Sequence, residues 1–116
     1  MSIKRIEPAG RLSKAVVHNG TVYLAGLTAD NDSLDISGQT QQILDKIDHY
    51  LAETGSDKTK LLSAVIYLTE ISLKEGVDKL WVPWIGDGHQ SARACVGGAQ
   101  LATPKLQVEI MVTAAI

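Results

Sequence analysis

The segment KAVVHNGTVYLAG contains two short β-prone runs that are joined by Asn19 and Gly20. This dipeptide accepts the positive φ angles of a type I′ turn, which connects two antiparallel strands through a two-residue loop. The turn sets the register of the pair, so that Val17 lies opposite Val22 and one face of the hairpin is apolar. We therefore predict an antiparallel hairpin near the start of the chain.

Two later segments have the periodicity of α-helices. In GQTQQILDKIDHYLAETG, apolar residues recur at helical spacing and predict one buried stripe. Before the second helix, Ser72 and Glu75 have the spacing of a capping box, so we expect that helix to begin there. Pro83 cannot donate a backbone hydrogen bond, which predicts that the helix ends or kinks near Trp81–Trp84.

Three further β-prone runs complete the pattern, and they are KLLSAVIYLTEI, ARACVGG and LQVEIMVTAAI. The resulting order, ββ-α-β-α-ββ, predicts an α+β fold in which two helices cover one face of a mostly antiparallel sheet. The length of 116 residues fits a single domain over residues 1–116. A hairpin between the last two strands, centred on Leu101, would place Arg93 opposite Glu109.

The second face of this sheet bears on assembly. Two helices cover only one face, and the terminal strands carry few charges on either face. The uncovered face therefore needs another protein surface. We expect a homo-oligomer with pockets between its subunits.

Composition excludes several classes of partner. The net charge of −2, with scattered Lys and Arg, gives no basic field for nucleic acid or an anionic membrane. No apolar run approaches the roughly 18–20 residues that cross a bilayer. The only cysteine cannot form an intramolecular disulfide, and the first residues, MSIKRIEPAG, lack an apolar signal core. We therefore expect a cytoplasmic protein that binds neither nucleic acid nor membranes.

Arg93 and Glu109 are the main candidates for chemistry. The neighbours of Arg93 in its strand are small and supply no counter-charge, and its planar fork suits a carboxylate. Glu109 lies among aliphatic residues, where a carboxylate rarely lacks a partner. The two side chains either form a plain salt bridge, or Arg93 binds an anionic ligand while Glu109 orients or deprotonates a water.

Cys95 and His89 are secondary candidates. Cys95 follows Arg93 by two positions, so a strand points both side chains the same way. Cys95 fits the role of a small, buried apolar side chain better than that of a nucleophile, because no histidine is near it in the sequence. His89 falls in the loop that leads to Arg93. The histidines lack metal-ligand spacing, and no phosphate loop or dinucleotide fingerprint is present, so we expect neither metal nor cofactor.

The order of four segments resembles the RidA/YjgF family of reactive-intermediate deaminases along nearly the whole chain. These segments are VVHNGTVYLAGLTAD, QTQQILDKIDHYLAETGSDKTKLLSAVIYL, LWVPWIGDGHQSARACV and LQVEIMVTAAI. The resemblance implies a homotrimer with a chorismate-mutase-like fold and three clefts between subunits. It also implies hydrolysis of 2-imino and 2-aminoacrylate-type acids, which pyridoxal-phosphate enzymes release, to 2-keto acids and ammonia.

The resemblance assigns roles to individual residues. Arg93 corresponds to the arginine that grips the substrate carboxylate, and Glu109 to the glutamate associated with the hydrolytic water. Cys95 corresponds to a cysteine that contributes mainly through its backbone, and Gly26 to a glycine whose backbone lines the cleft. These matches imply small 2-imino or 2-keto acids as partners.

The chain departs from the family pattern at two contacts. Ala25 stands where a serine precedes the cleft glycine, and Leu12 stands where the family has a tyrosine. Both polar contacts to substrate are therefore missing, which affects substrate preference and turnover. Two alternatives remain open: a non-enzymatic trimer that binds small carboxylates, and an endoribonuclease, against which the acidic composition argues.

Overall fold

The computed structural model describes residues 2–116 and contains six strands and two α-helices. The strands are β1 Lys4–Ile6, β2 Ala15–His18, β3 Thr21–Leu24, β4 Leu61–Leu68, β5 Ala92–Val96 and β6 Val108–Ala115, and the helices are α1 Ile36–Glu53 and α2 Lys74–Ile85. Short 3-10 helices, Lys58–Lys60 and Ile71–Leu73, precede β4 and α2. The predicted α+β fold is confirmed, with β1 added before the predicted hairpin.

All strands form one sheet in the order β1-β2-β3-β6-β4-β5. Every neighbouring pair is antiparallel except β4 and β5, which are parallel. The predicted hairpin is confirmed, because Val17 pairs with Val22. Asn19 and Gly20 have φ angles of 51° and 76°, which are the left-handed values that a type I′ turn requires.

The predicted hairpin between the last two strands is wrong. β5 pairs with β4 in parallel, and β6 lies on the other side of β4. The physical reason is that α2 connects β4 to β5, and a helical crossover joins parallel strands. As a result Arg93 pairs with Ala64, whereas Glu109 pairs with Tyr67.

Helix α1 agrees with its predicted stripe, since Ile43, Leu44, Ile47 and Leu51 are at most 1% exposed. It begins earlier than expected, at Ile36, because the Asp35 carboxylate accepts a hydrogen bond of 2.8 Å from the Gly38 N–H and caps the first turn.

The predicted capping box of α2 is wrong. Ser72 lies within a 3-10 turn, and α2 begins after Leu73 without a side-chain cap. Leu73 already has helical backbone angles, so no extended residue is available to form the cap. Pro83 lies inside the helix, and the helix ends two residues later at Ile85. The proline removes one backbone hydrogen bond from the last turn.

The two faces of the sheet differ in exposure. On the face toward the helices, alternate residues of β6 are buried, including Val108, Ile110 and Val112. On the other face, Tyr23, Val96 and Met111 are between 41% and 47% exposed. A single chain therefore leaves one apolar face of the sheet uncovered. No helix in the described residues is long and apolar enough to cross a membrane.

Gln39, which no sequence pattern indicated, joins α1 to the segment before β6. Its side chain is fully buried, and Nε2 donates to the carbonyl oxygens of Leu34 (2.9 Å) and Lys105 (3.1 Å). Its Oε1 accepts from the Gln107 N–H at 2.9 Å. This amide holds the approach to the strand that carries Glu109.

We expect Gln39→Ala to lower the free energy of unfolding by about 2–4 kcal/mol, because it removes a fully buried amide and its hydrogen bonds to three backbone groups. Urea unfolding followed by circular dichroism measures the change. The matched control is Gln41→Ala, whose exposed side chain bonds only Asp45, with an expected change within about 0.5 kcal/mol. Equal losses of unfolding free energy in Gln39→Ala and Gln41→Ala would contradict the conclusion that the Gln39 amide holds α1 to the segment before β6.

Candidate active site

Arg93 lies on β5, an edge strand, on the face toward the helices. Its Nη1 donates to Oδ1 of Asp78 on α2 at 2.6 Å, and the other oxygen of Asp78 accepts from Lys74 Nζ at 2.8 Å. The neighbours of Arg93 within β5 carry no counter-charge, as the sequence predicted. The counter-charge comes from the helix that crosses over the strand.

A cavity of about 470 Å³ lies beside this ion pair. Arg93 and Asp78 line it together with apolar side chains of α2, namely Trp81, Val82 and Ile85. The guanidinium carbon is 5.7 Å from the centroid of the Trp81 ring, which provides a cation–π contact. The lining therefore combines one cation and an apolar wall with two carboxylates, Asp78 and the exposed Asp87. The cation and the apolar wall are the two contacts that suit a small carboxylic acid.

The ion pair between Arg93 and Asp78 is only partly exposed, and it favours the ionised form of the Asp78 carboxyl. Side-chain exposure is 21% for Arg93 and 23% for Asp78. Burial raises the pKa of Asp78, but hydrogen bonds from Arg93 and Lys74 outweigh it, so the pKa of this carboxyl lies below its ordinary value. Asp78 is therefore an anion at neutral pH.

Cys95 shares the face of Arg93, as the sequence predicted, and packs against the core. Burial raises the pKa of its thiol, an effect that the nearby Arg93 charge only partly offsets. A thiol with a raised pKa stays protonated at neutral pH and is a poor nucleophile. The structure thus favours a packing role for this side chain.

Glu109 lies on the opposite face of the sheet, next to Gly26. A Cβ added at Gly26 would overlap Oε2 of Glu109 and lie 3.0 Å from its Cδ. Only a glycine leaves room for the carboxylate at this position. Gly26 is followed by Leu27, which exchanges backbone hydrogen bonds with Ile110 and so holds the two segments together.

The remaining candidates lie apart from Arg93. Ala25 adjoins Gly26 and donates its N–H to the Lys14 carbonyl at 2.9 Å. Leu12 is 47% exposed in the loop between β1 and β2, where it lines a separate cavity. His89 is exposed in the turn after α2 and does not line the cavity beside Arg93.

One chain therefore presents two groups of candidate residues. Arg93 and Cys95 face the helices, whereas Glu109 and Gly26 lie on the other side of the sheet. The hypothesis of a direct Arg93–Glu109 salt bridge within one chain is wrong, because the sheet separates them. A site that uses both side chains needs a second copy of the chain.

Asp78 and Trp81 are two site residues that were not predicted from the sequence. A signal for them exists, because Lys74, Asp78 and Trp81 have the i, i+4, i+7 spacing that places residues along one side of a helix. The crossover from β4 to β5 then brings this side of α2 over the strand that carries Arg93.

One group of possible metal ligands occurs among the described residues. Glu7, His49 and Glu53 have ligand atoms within 4.8 Å of one another, and all three side chains are exposed. His49 already pairs with Glu53 at 3.5 Å. Exposed groups of this kind are common without an ion, so we assign no metal to them.

Comparisons with known proteins agree with this architecture. The family model described as endoribonuclease L-PSP matches residues 2–116. The RutC family protein YoaB of Escherichia coli is 37% identical over 116 residues, which cover 100% of both chains. A RutC family protein of Haemophilus ducreyi is 38% identical over 114 residues, 98% of this chain and 97% of the relative.

Solved structures of similar proteins have the same fold. The crystal structure of a YjgF family protein from Neisseria meningitidis superposes with a TM-score of 0.94 at 40% identity, covering 99% of this chain and 95% of that one. A protein from Pseudomonas aeruginosa also reaches a TM-score of 0.94, at 38% identity and 98% coverage of both chains. The chain therefore belongs to the endoribonuclease L-PSP family, which is also known as the YjgF/RidA family.

Proposed function

We propose that the protein hydrolyses reactive 2-imino and enamine acids, such as 2-iminobutyrate and 2-aminoacrylate, to 2-keto acids and ammonia. The observation that carries the proposal is the guanidinium of Arg93 beside a cavity with an apolar wall. A guanidinium fork binds a carboxylate through two parallel hydrogen bonds, and the apolar wall accepts a short aliphatic chain. Membership of the family supports this reading.

The chemistry requires a held substrate, a water and a base. Arg93 binds the carboxylate, which places the imine carbon within reach of the water. Glu109 accepts a proton as the water oxygen bonds to that carbon, and the C=N electron pair moves to nitrogen. Glu109 returns this proton to nitrogen, which gives a carbinolamine that carries a hydroxyl and an amino group on the same carbon. The hydroxyl proton then passes to nitrogen through Glu109, the C–N bond breaks, ammonia leaves, the oxygen forms the keto group and Glu109 is again a carboxylate. No covalent intermediate with Cys95 is needed.

We further propose that each site forms between two copies of the chain. Support comes from the opposite positions of Arg93 and Glu109 on the sheet and from the uncovered apolar face that carries Glu109. Packing of this face against the β5 edge of a neighbouring copy would bury Tyr23 and Met111 and bring Glu109 of one copy toward Arg93 of the neighbour. The resemblance to the family favours three copies.

The self-association predicts a mass in solution larger than the 12.4 kDa of one chain, and a mass of three chains agrees with the resemblance. Sedimentation equilibrium measures this mass. Met111→Asp should reduce it, because the substitution places a charge on the apolar face. A monomer mass that does not change with protein concentration would contradict the proposal.

The two departures at Ala25 and Leu12 affect substrate preference. Neither side chain can donate a hydrogen bond, so the substrate relies on Arg93, backbone groups and the apolar wall. We propose that the site favours acids with short apolar side chains over those with polar ones.

A coupled assay tests the proposed activity. A pyridoxal-phosphate dehydratase generates the imine from threonine or serine, and keto acid formation is followed with and without this protein. We expect faster keto acid release when the protein is present. Saturable binding of 2-ketobutyrate without acceleration would instead support the alternative of a non-enzymatic carboxylate-binding protein.

A further inference from the structure

Asp78 uses only one end of the Arg93 guanidinium. It accepts from Nη1, and no hydrogen bond joins Nε or Nη2 to another group within residues 2–116. These two nitrogens form the side of the guanidinium whose parallel N–H groups match a carboxylate. The contact with Asp78 therefore leaves a complete binding fork available.

The charges around Arg93 also remain favourable for an anion. An arginine paired with one aspartate would form a neutral unit with little attraction for a carboxylate. Here Lys74 binds the second oxygen of Asp78 at 2.8 Å. The group of Lys74, Asp78 and Arg93 thus carries one net positive charge, which a monoanionic ligand would neutralise. Asp87 also lines the cavity, but its side chain is exposed, so solvent and salt screen its charge.

Two contacts restrict how Arg93 can turn. Asp78 holds Nη1 at 2.6 Å, and the ring of Trp81 lies 5.7 Å from the guanidinium carbon. Both residues are on α2, so one helix controls the direction of the fork. A freely rotating arginine would lose side-chain entropy on binding a ligand, whereas a fixed one has already lost it.

We infer that Asp78 is a positioning residue, which holds Arg93 through Nη1 so that the Nε–Nη2 side is presented to the ligand carboxylate. The inference rests on the proposed function in that the ligand is a small 2-keto or 2-imino acid. Asp78 does not touch the ligand in this arrangement. It acts through the orientation of Arg93.

The test measures binding of 2-ketobutyrate by isothermal titration calorimetry to the wild type, Asp78→Ala and Asp78→Asn. We expect Asp78→Ala to weaken binding by about tenfold or more, because Arg93 loses its fixed orientation. Asp78→Asn keeps an acceptor oxygen for Nη1 and should restore most of the affinity. The matched control is Asp48→Ala, which removes a carboxylate that contacts Trp84 of α2 and should bind like the wild type.

Two results would overturn the positioning role. One is an Asp78→Ala variant that binds as tightly as the wild type, or more tightly, which would mean that Asp78 competes with the ligand. The other is an Asp78→Asn variant as weak as Asp78→Ala, which would mean that the orienting bond is irrelevant. Circular dichroism of each variant establishes that the fold is retained.

A second readout separates this inference from the proposed function. Nitrogen-15 NMR of the Arg93 guanidinium, recorded without ligand, should show slow rotation about the Cζ–Nη1 bond in the wild type and fast rotation in Asp78→Ala. If the wild type binds no keto acid but this difference appears, the proposed function fails and the positioning role stands. Identical spectra in the two proteins would refute the positioning role.

Discussion

Replacing Arg93 with alanine is expected to lower the rate of 2-iminobutyrate hydrolysis by more than about 10²-fold, to the uncatalysed rate. Without the guanidinium nothing holds the substrate carboxylate, and the imine carbon is no longer placed beside the water. The coupled assay with threonine as the source of imine measures this loss. The same variant should show no saturable binding of 2-ketobutyrate.

The control for this prediction lies on the same strand. Cys95→Ala changes a side chain two positions away on the same face as Arg93, and it should retain most of the activity because the thiol is neutral and half-buried. Arg93→Ala with undiminished activity would refute the role of the guanidinium. Complete loss of activity in Cys95→Ala would instead support covalent catalysis by the Cys95 thiol.

Replacing Glu109 with glutamine is expected to reduce the rate by about 10²–10⁴-fold, which is the usual contribution of a general base. Glutamine has nearly the same shape, so it fits beside Gly26 without a new overlap. The loss should therefore appear in kcat, whereas the affinity for 2-ketobutyrate should change little.

The matched control for Glu109 is Glu75→Gln, on the exposed surface of α2, which should leave the rate unchanged. A Glu109→Gln variant with normal kcat would exclude this carboxylate as the base. A loss confined to ligand affinity would instead assign it to binding.

Local chemistry explains which parts of the fold were predictable. The Asn19-Gly20 turn sets the hairpin by itself, and the apolar stripe of α1 follows from helical spacing alone. The pairing of β5 was mispredicted because the loop from Gly97 to Gln107 does not determine a register. The crossover through α2 determines the pairing instead, because a helical crossover joins parallel strands.

The candidate site was predictable only in part. Arg93 and Glu109 stand out in the sequence because charged residues are rare within apolar strands. Their separation by the sheet depends on the strand order, which no local pattern encodes. Asp78 was missed because its contact with Arg93 depends on the rotation of α2 over the strand.

The most direct test of a site shared between copies uses two inactive variants together. Arg93→Ala and Glu109→Gln chains are mixed in equal amounts, unfolded, refolded and assayed for imine hydrolysis. If Arg93 of one copy works with Glu109 of another, random mixing gives both native residues to about a quarter of all sites in the sample, and a corresponding share of activity returns. A mixture that forms mixed oligomers and stays as inactive as its separate components would contradict the account.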